Sequence, residues 1–103
     1  PIVFEEVDFT LAVLGGADLR GVDLSGSRLR EAGLVGADLR KAVLRGADLS
    51  GARTNGLRLE QADLRGARID ATLWTTAACR GARIDVAQAL AYAVAHGLDV
   101  SGE

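Results

Sequence analysis

Cysteine, histidine and tryptophan each occur once in the 103 residues, and aromatic side chains make up 4 % of the chain. A single cysteine excludes an intrachain disulfide framework, and with a single histidine it leaves no spacing from which a metal site could be built. His96 cannot anchor a Ser-His-Asp set, and its place in the last turn of a helical segment reads as a surface residue compatible with the helix dipole. Cys79 reads as a small core residue. So few rings argue against a conventional core. No stretch approaches the ~20 apolar residues of a spanning helix, and no charged-then-apolar leader opens the chain, so the expectation is a soluble, cytoplasmic protein. Neither charge sign dominates: the formal net charge is -2, and from Pro1 to Asp85 twelve acids meet twelve bases.

What the chain does have is a ladder. Every fifth residue from Phe4 reads Phe4, Phe9, Leu14, Leu19, Leu24, Leu29, Leu34, Leu39, Leu44, Leu49, Thr54, Leu59, Leu64, Ile69, Trp74, Cys79 and Ile84. A period of five suits neither a helix nor a strand and predicts short turns stacked as a solenoid. Two positions before each centre stand mostly small residues, such as Ala32, Ala37, Ala42 and Ala47, so both positions face inward. Nine of the thirteen glycines fall two positions after a centre, where the chain must turn a corner.

Units such as Ala17-Asp18-Leu19-Arg20-Gly21 and Ala47-Asp48-Leu49-Ser50-Gly51 resemble the A(D/N)LXX unit of the pentapeptide-repeat family. The resemblance implies an all-β solenoid: a right-handed quadrilateral β-helix over residues 1–84, about four coils and ~20 Å long at ~4.8 Å per coil. Residues 85–103 form a C-terminal capping and dimerisation helix with a short tail. Four units per coil give four faces with interior columns Leu24, Leu44, Leu64 and Ile84 (first), Phe9, Leu29, Leu49 and Ile69 (second), Leu14, Leu34, Thr54 and Trp74 (third) and Leu19, Leu39, Leu59 and Cys79 (fourth). The outward positions of the third face carry no acid (Val13, Gly15, Gly33, Val35, Arg53, Asn55, Leu73, Thr75). Trp74 overfills a leucine slot, so either the last coil widens or the indole lies against a partner. On another face Arg20, Arg40 and Arg80 stack beside Asp18 and Asp38, so neighbouring ladders neutralise each other.

After Ile84 the pattern turns helical, with Asp85 as N-cap, Gln88 completing a capping box and Gly97 as the stop. Val86, Leu90 and Val94 form an apolar ridge expected to close the solenoid end. Ala87, Ala91 and Ala95 form a shallow ridge with Tyr92 beside it, expected to join two copies. At the other end Phe4 begins in register without a cap, and further coils are expected before Pro1.

The stretches Glu6–Gly16, Val43–Thr54 and Ala95–Leu98 are similar to fluoroquinolone-resistance members of the family. That resemblance implies a rod-shaped homodimer that imitates duplex DNA, binds DNA gyrase and alters its activity, and binds neither nucleic acid nor membrane itself. Basic surfaces made for phosphates would meet carboxylates on the rod, and the acids nearest the expected dimer centre are Glu60, Asp63, Asp70, Asp85 and Asp99. The alternative is an interaction scaffold without a gyrase role, supported by the neutral repeat body and the acid-free face. No residue constellation supports an enzyme and none calls for a cofactor: the glycines serve corners and open no phosphate-cradling helix.

Overall fold

The computed structural model describes residues 2–102. The residue before each centre pairs with its equivalent twenty residues later, in twelve parallel bridges from Val3–Asp23 to Asp63–Arg83. The coil is thus four pentapeptides. Each bridge is one residue long, because the chain turns a corner before a second can form. The central N–H donates to the next coil, as from Leu24 to the Val43 carbonyl (2.7 Å), and the residue before the centre donates back, as from Asp63 to the Ala42 carbonyl (2.9 Å).

The corners are left-handed. Except at Ala71, Thr76 and Val86, which lie in helices, the second residue after the centre has positive φ, and where it is not glycine it is Glu6, Leu11, Glu31, Lys41 or Gln61, with φ of 55–64°. The left-handed region costs an L-residue about 1–2 kcal/mol, which explains why glycine predominates there. Inside, Leu29, Leu34, Leu39, Leu44, Leu59 and Leu64 are fully buried with Ala32, Ala37, Ala42 and Ala62. The first coil is only half-covered, and Phe4 packs edge-on against Phe9 (5.6 Å between ring centres). Ser27, fully buried in an alanine position, accepts from the Val7 N–H and donates to the Phe4 carbonyl, bridging a corner that other coils close directly.

The third face departs from the unbroken ladder. A six-residue helix, α1 (Ala71–Thr76), replaces its last rung and buries Leu73 and Trp74, so Leu73 points inward rather than outward. The coil widens to hold the indole, which meets the Tyr92 ring edge-on at 5.5 Å. Register returns at once with the Arg58–Ala78 bridge.

Where the chain leaves the solenoid, side chains take over from backbone. In the regular pattern a corner N–H donates to the carbonyl nineteen residues on, as from Gly46 to Arg65. At Gly51 the acceptor is the Asp70 carboxylate (2.5 Å), and at Gly66 it is that of Asp85 (2.8 Å). Each aspartate immediately precedes a helix, where its carbonyl has been turned away from the coil below. Likewise, twenty-one residues after Ala67, where a strand N–H would have donated back, the Gln88 side-chain amide donates to the Ala67 carbonyl (3.0 Å) and also to that of Leu64 (2.5 Å).

Gln88 belongs to α2 (Val86–Ala95), whose capping box with Asp85 is formed as expected. The helix ends at Gly97 (φ 79°), with the Leu98 N–H bonded to the Ala93 carbonyl (3.0 Å). Its orientation reverses the expectation. Val86, Leu90 and Val94 are 78 %, 48 % and 60 % exposed, whereas Gln88 is buried, Ala95 packs on the core and Tyr92 reaches Trp74. The coil end presents carbonyls that need donors, and only the Gln88 face supplies one. With helix and tail included, the protein measures 44 × 21 × 21 Å, so its long axis exceeds the ~20 Å of the coils alone.

Candidate interaction surface

The aspartates before each centre cap their own corners. Asp18, Asp38 and Asp63 each hold the arginine two residues on through two or more bonds of 2.6–3.1 Å, besides accepting its N–H. Asp8, Asp23 and Asp48 make the same turn with Thr10, Ser25 and Ser50, each hydroxyl at 2.6 Å. The bond from Arg40 holds the Asp38 carboxyl at a pKa of about 2, and that from Arg65 does the same for Asp63. These carboxylates are ionised at neutral pH but already occupied. Their signal lay in the sequence: all six are followed two residues later by Arg, Ser or Thr.

The five acids expected to contact a partner do not converge on one patch. Glu60 pairs with Arg58 (2.9 Å), Asp63 with Arg65 (2.7 Å), and Asp70 and Asp85 hold the corner amides of Gly51 and Gly66. By register Glu60 sits on the fourth face, Asp70 on the second, and Asp63 and Asp85 on the first. Asp99 is exposed in the tail and forms no ion pair among the described residues.

Cations predominate among the uncompensated charges of the later coils. Lys41, Arg45, Arg53, Arg68, Arg80 and Arg83 form no ion pair among the described residues. On the fourth face the ladder neutralises itself as expected, with Asp18–Arg20 (2.8 Å), Asp38–Arg40 (2.6 Å) and a reversed Arg58–Glu60 rung (2.9 Å). Its last rung is Ala78 and Arg80, which leaves that guanidinium without an acid. Exposed apolar side chains include Ile2, Val3 and Val7 on the first coil, Leu11, Val13 and Val35 on and beside the acid-free face, Val86, Leu90 and Val94 on α2, and Leu98 and Val100 in the tail. The expected dimer residues lie elsewhere on α2. Tyr92 and Ala95 are turned to the coil, and Ala87 and Ala91 border a shallow hollow with Ala67, Ile69 and Trp74.

Among the described residues no helix is long and apolar enough to cross a membrane. Cys79 is half-buried, and burial, followed by the nearby Glu60 carboxylate, pushes its thiol pKa up, so it is not poised as a nucleophile.

Pentapeptide repeats match this chain in eight copies over residues 8–46 and 42–72, and the chain belongs to that family. A pentapeptide repeat protein from Nostoc superimposes with a TM-score of 0.66 at 42 % identity, over 76 % of this chain and 64 % of that one. A second, from the Arabidopsis thaliana thylakoid lumen, gives 0.60 at 32 %, over 79 % and 57 %. These structures identify the fold as the family's right-handed quadrilateral β-helix. The chain spans less than two thirds of the length of either. A shorter match, 66 % identical over 26 residues, is to the pentapeptide repeat protein MfpA of Mycobacterium tuberculosis, covering 25 % of this chain and 14 % of MfpA.

Proposed function

We propose that this chain belongs to an MfpA-like protein of the fluoroquinolone-resistance type, which binds DNA gyrase by imitating duplex DNA and so modulates the enzyme and protects it from the drug. The observation that carries the reading is the 66 % identity to MfpA over 26 residues. A rigid rod with a 21 × 21 Å cross-section, close to that of duplex DNA, supports it. The protein acts without catalysis or cofactor, in the cytoplasm with gyrase. Of the five acids, Asp99 has a carboxylate uncommitted to the fold, while Glu60, Asp63, Asp70 and Asp85 contribute their field while serving structural bonds. Two copies join through α2, and the face available for this is the exposed Val86, Leu90 and Val94 ridge.

The uncompensated arginines and the acid-free face favour a second reading, an interaction scaffold that docks through Leu11, Val13 and Val35. Val13 is 90 % exposed. A supercoiling assay with purified gyrase separates the two. The first reading requires dose-dependent inhibition that weakens as salt rises. Supercoiling untouched by the full-length protein, together with no salt-sensitive binding to gyrase fragments, overturns it.

A further inference from the structure

A cavity of about 310 Å³ lies between the last coil and α2, lined by Trp74, Ala77, Cys79, Arg80, Ala82, Ile84 and Tyr92. Its volume is at the lower end of the ~300–1,000 Å³ of small-molecule sites. All but one of its lining residues are apolar, small or aromatic. The exception is Arg80, whose rung of the fourth-face ladder carries Ala78 where the first two rungs carry Asp18 and Asp38. The acid beneath it in the same column, Glu60, is bonded to Arg58 instead (2.9 Å). Trp74, another lining residue, is 3 % exposed, and its inaccessible indole Nε1 has no acceptor among the described residues.

We propose that this cavity binds a small monocarboxylate with a compact apolar body, the body lying against Trp74, Ile84 and Tyr92 and the carboxylate on the Arg80 guanidinium. Arginine matches a carboxylate in planar, two-point fashion. The lining itself contains no carboxylate, the Glu60 carboxylate that bears on Cys79 from outside the lining is paired with Arg58 (2.9 Å), and the apolar walls exclude strongly hydrated anions such as phosphate. The wall also holds the only tryptophan of the chain, so occupancy is read directly from its emission.

The test titrates the full chain with 3-phenylpropionate and, separately, with 3-phenylpropanol, following Trp74 fluorescence. The acid is expected to give a saturable change and to bind about tenfold more tightly than the alcohol, the worth of one partly solvated charge-assisted contact. Arg80→Gln, an exposed substitution that leaves the coils intact, should erase that preference. Ala82→Leu should block both compounds, and an unchanged melting curve shows that the variant is folded. No saturable change up to roughly 10 mM, the weak end of specific binding, overturns the proposal. So does equal binding of acid and alcohol, or an acid preference that survives in Arg80→Gln.

Discussion

Gln88 is the residue on which the two halves of the structure depend, and its replacement by glutamate separates two accounts of the cap. As the third residue of a capping box, Gln88 only has to accept the Asp85 N–H (2.9 Å), which glutamate does as well, with a favourable charge at a helix N-terminus. On that account Gln88→Glu is neutral or slightly stabilising. In the structure, however, the amide also donates to Leu64 and Ala67 in place of a strand N–H, and the residue is 7 % exposed. Glutamate would set a carboxylate oxygen against two carbonyls. The Leu64 carbonyl keeps its bond from the Ala67 N–H (2.9 Å), but the Ala67 carbonyl loses its donor. One orphaned buried group costs about 1–3 kcal/mol, and repulsion at the carboxylate adds to it, so we expect a loss of about 2–4 kcal/mol at pH 7. For a domain of this size that lowers the melting midpoint by roughly 10–25 °C.

Low pH supplies the control. Protonation gives the glutamate one donor, so its folded-state pKa is raised. The penalty therefore develops as pH rises through the unfolded value of about 4.3 and is relieved below it. Gln88→Met, apolar and similar in length, should lose a comparable amount at every pH. Thermal and urea melts followed by circular dichroism give both numbers. A Gln88→Glu variant as stable as the parent at pH 7 would refute the idea that this side chain stands in for a strand.

Other predictions follow from the same geometry. Gly46 has φ of 69° and open space where a Cβ would stand, so Gly46→Ala should cost about 1 kcal/mol from backbone conformation alone. Lys41→Gly, at φ of 63°, should gain up to about 1 kcal/mol in urea melts, and a loss would contradict the left-handed corner. Asp38 and Asp63 have pKa values held at about 2, below the ordinary 3.8, so the stability they contribute is complete above pH 4 and declines as pH falls towards 2. Asp63→Asn should flatten the melting midpoint across that window, and an unaltered slope would remove the assignment. For α2, Leu90→Glu should abolish self-association in sedimentation while leaving the melting curve nearly unchanged. Ala91→Glu, beside Trp74 and Ala67, should instead weaken the cap; a dimer that persists in Leu90→Glu removes the ridge from the interface.

The coil was legible because one requirement repeats: each unit must bury a centre and a small residue and then turn a left-handed corner, which leaves leucine, alanine and glycine in fixed places. The helical cap was legible at Asp85, Gln88 and Gly97 for similarly local reasons. Helix α1 was missed because the ladder continues formally through Trp74, so periodicity alone carried the coil across it. A sharper signal existed. Asp occupies the position after the centre only at Asp70 and Asp85, the two points where a helix leaves the solenoid. The exchange of the α2 faces was not legible, because hydrophobic patterning ranks Val86, Leu90 and Val94 as the buried ridge. The coil end asks for hydrogen-bond donors before apolar area, and Gln88 answers that need at the cost of exposing the ridge.

The same distinction between committed and uncommitted groups limits what charge can mean here. An aspartate before the centre accepts the N–H and the hydroxyl or guanidinium two residues on, so its first function is to fix a corner, and its presence follows from the fold whatever the protein binds. Counting acids therefore overstates the anionic surface of any such coil, most of all where the residue two positions later is arginine, as at Asp18, Asp38 and Asp63. A DNA-like potential on a rod of this kind must come from Asp paired with Ser or Thr, which caps the corner and leaves the charge uncompensated, or from acids after the centre. Asp23 with Ser25 is the clearest case among the described residues, because it caps without an ion pair. Converting Arg40 and Arg65 to Ser would keep each corner bond while removing its cation. If gyrase binding rests on surface potential, the double variant should bind more tightly, most of all at low salt. Unchanged or weaker binding would separate recognition by shape from recognition by charge.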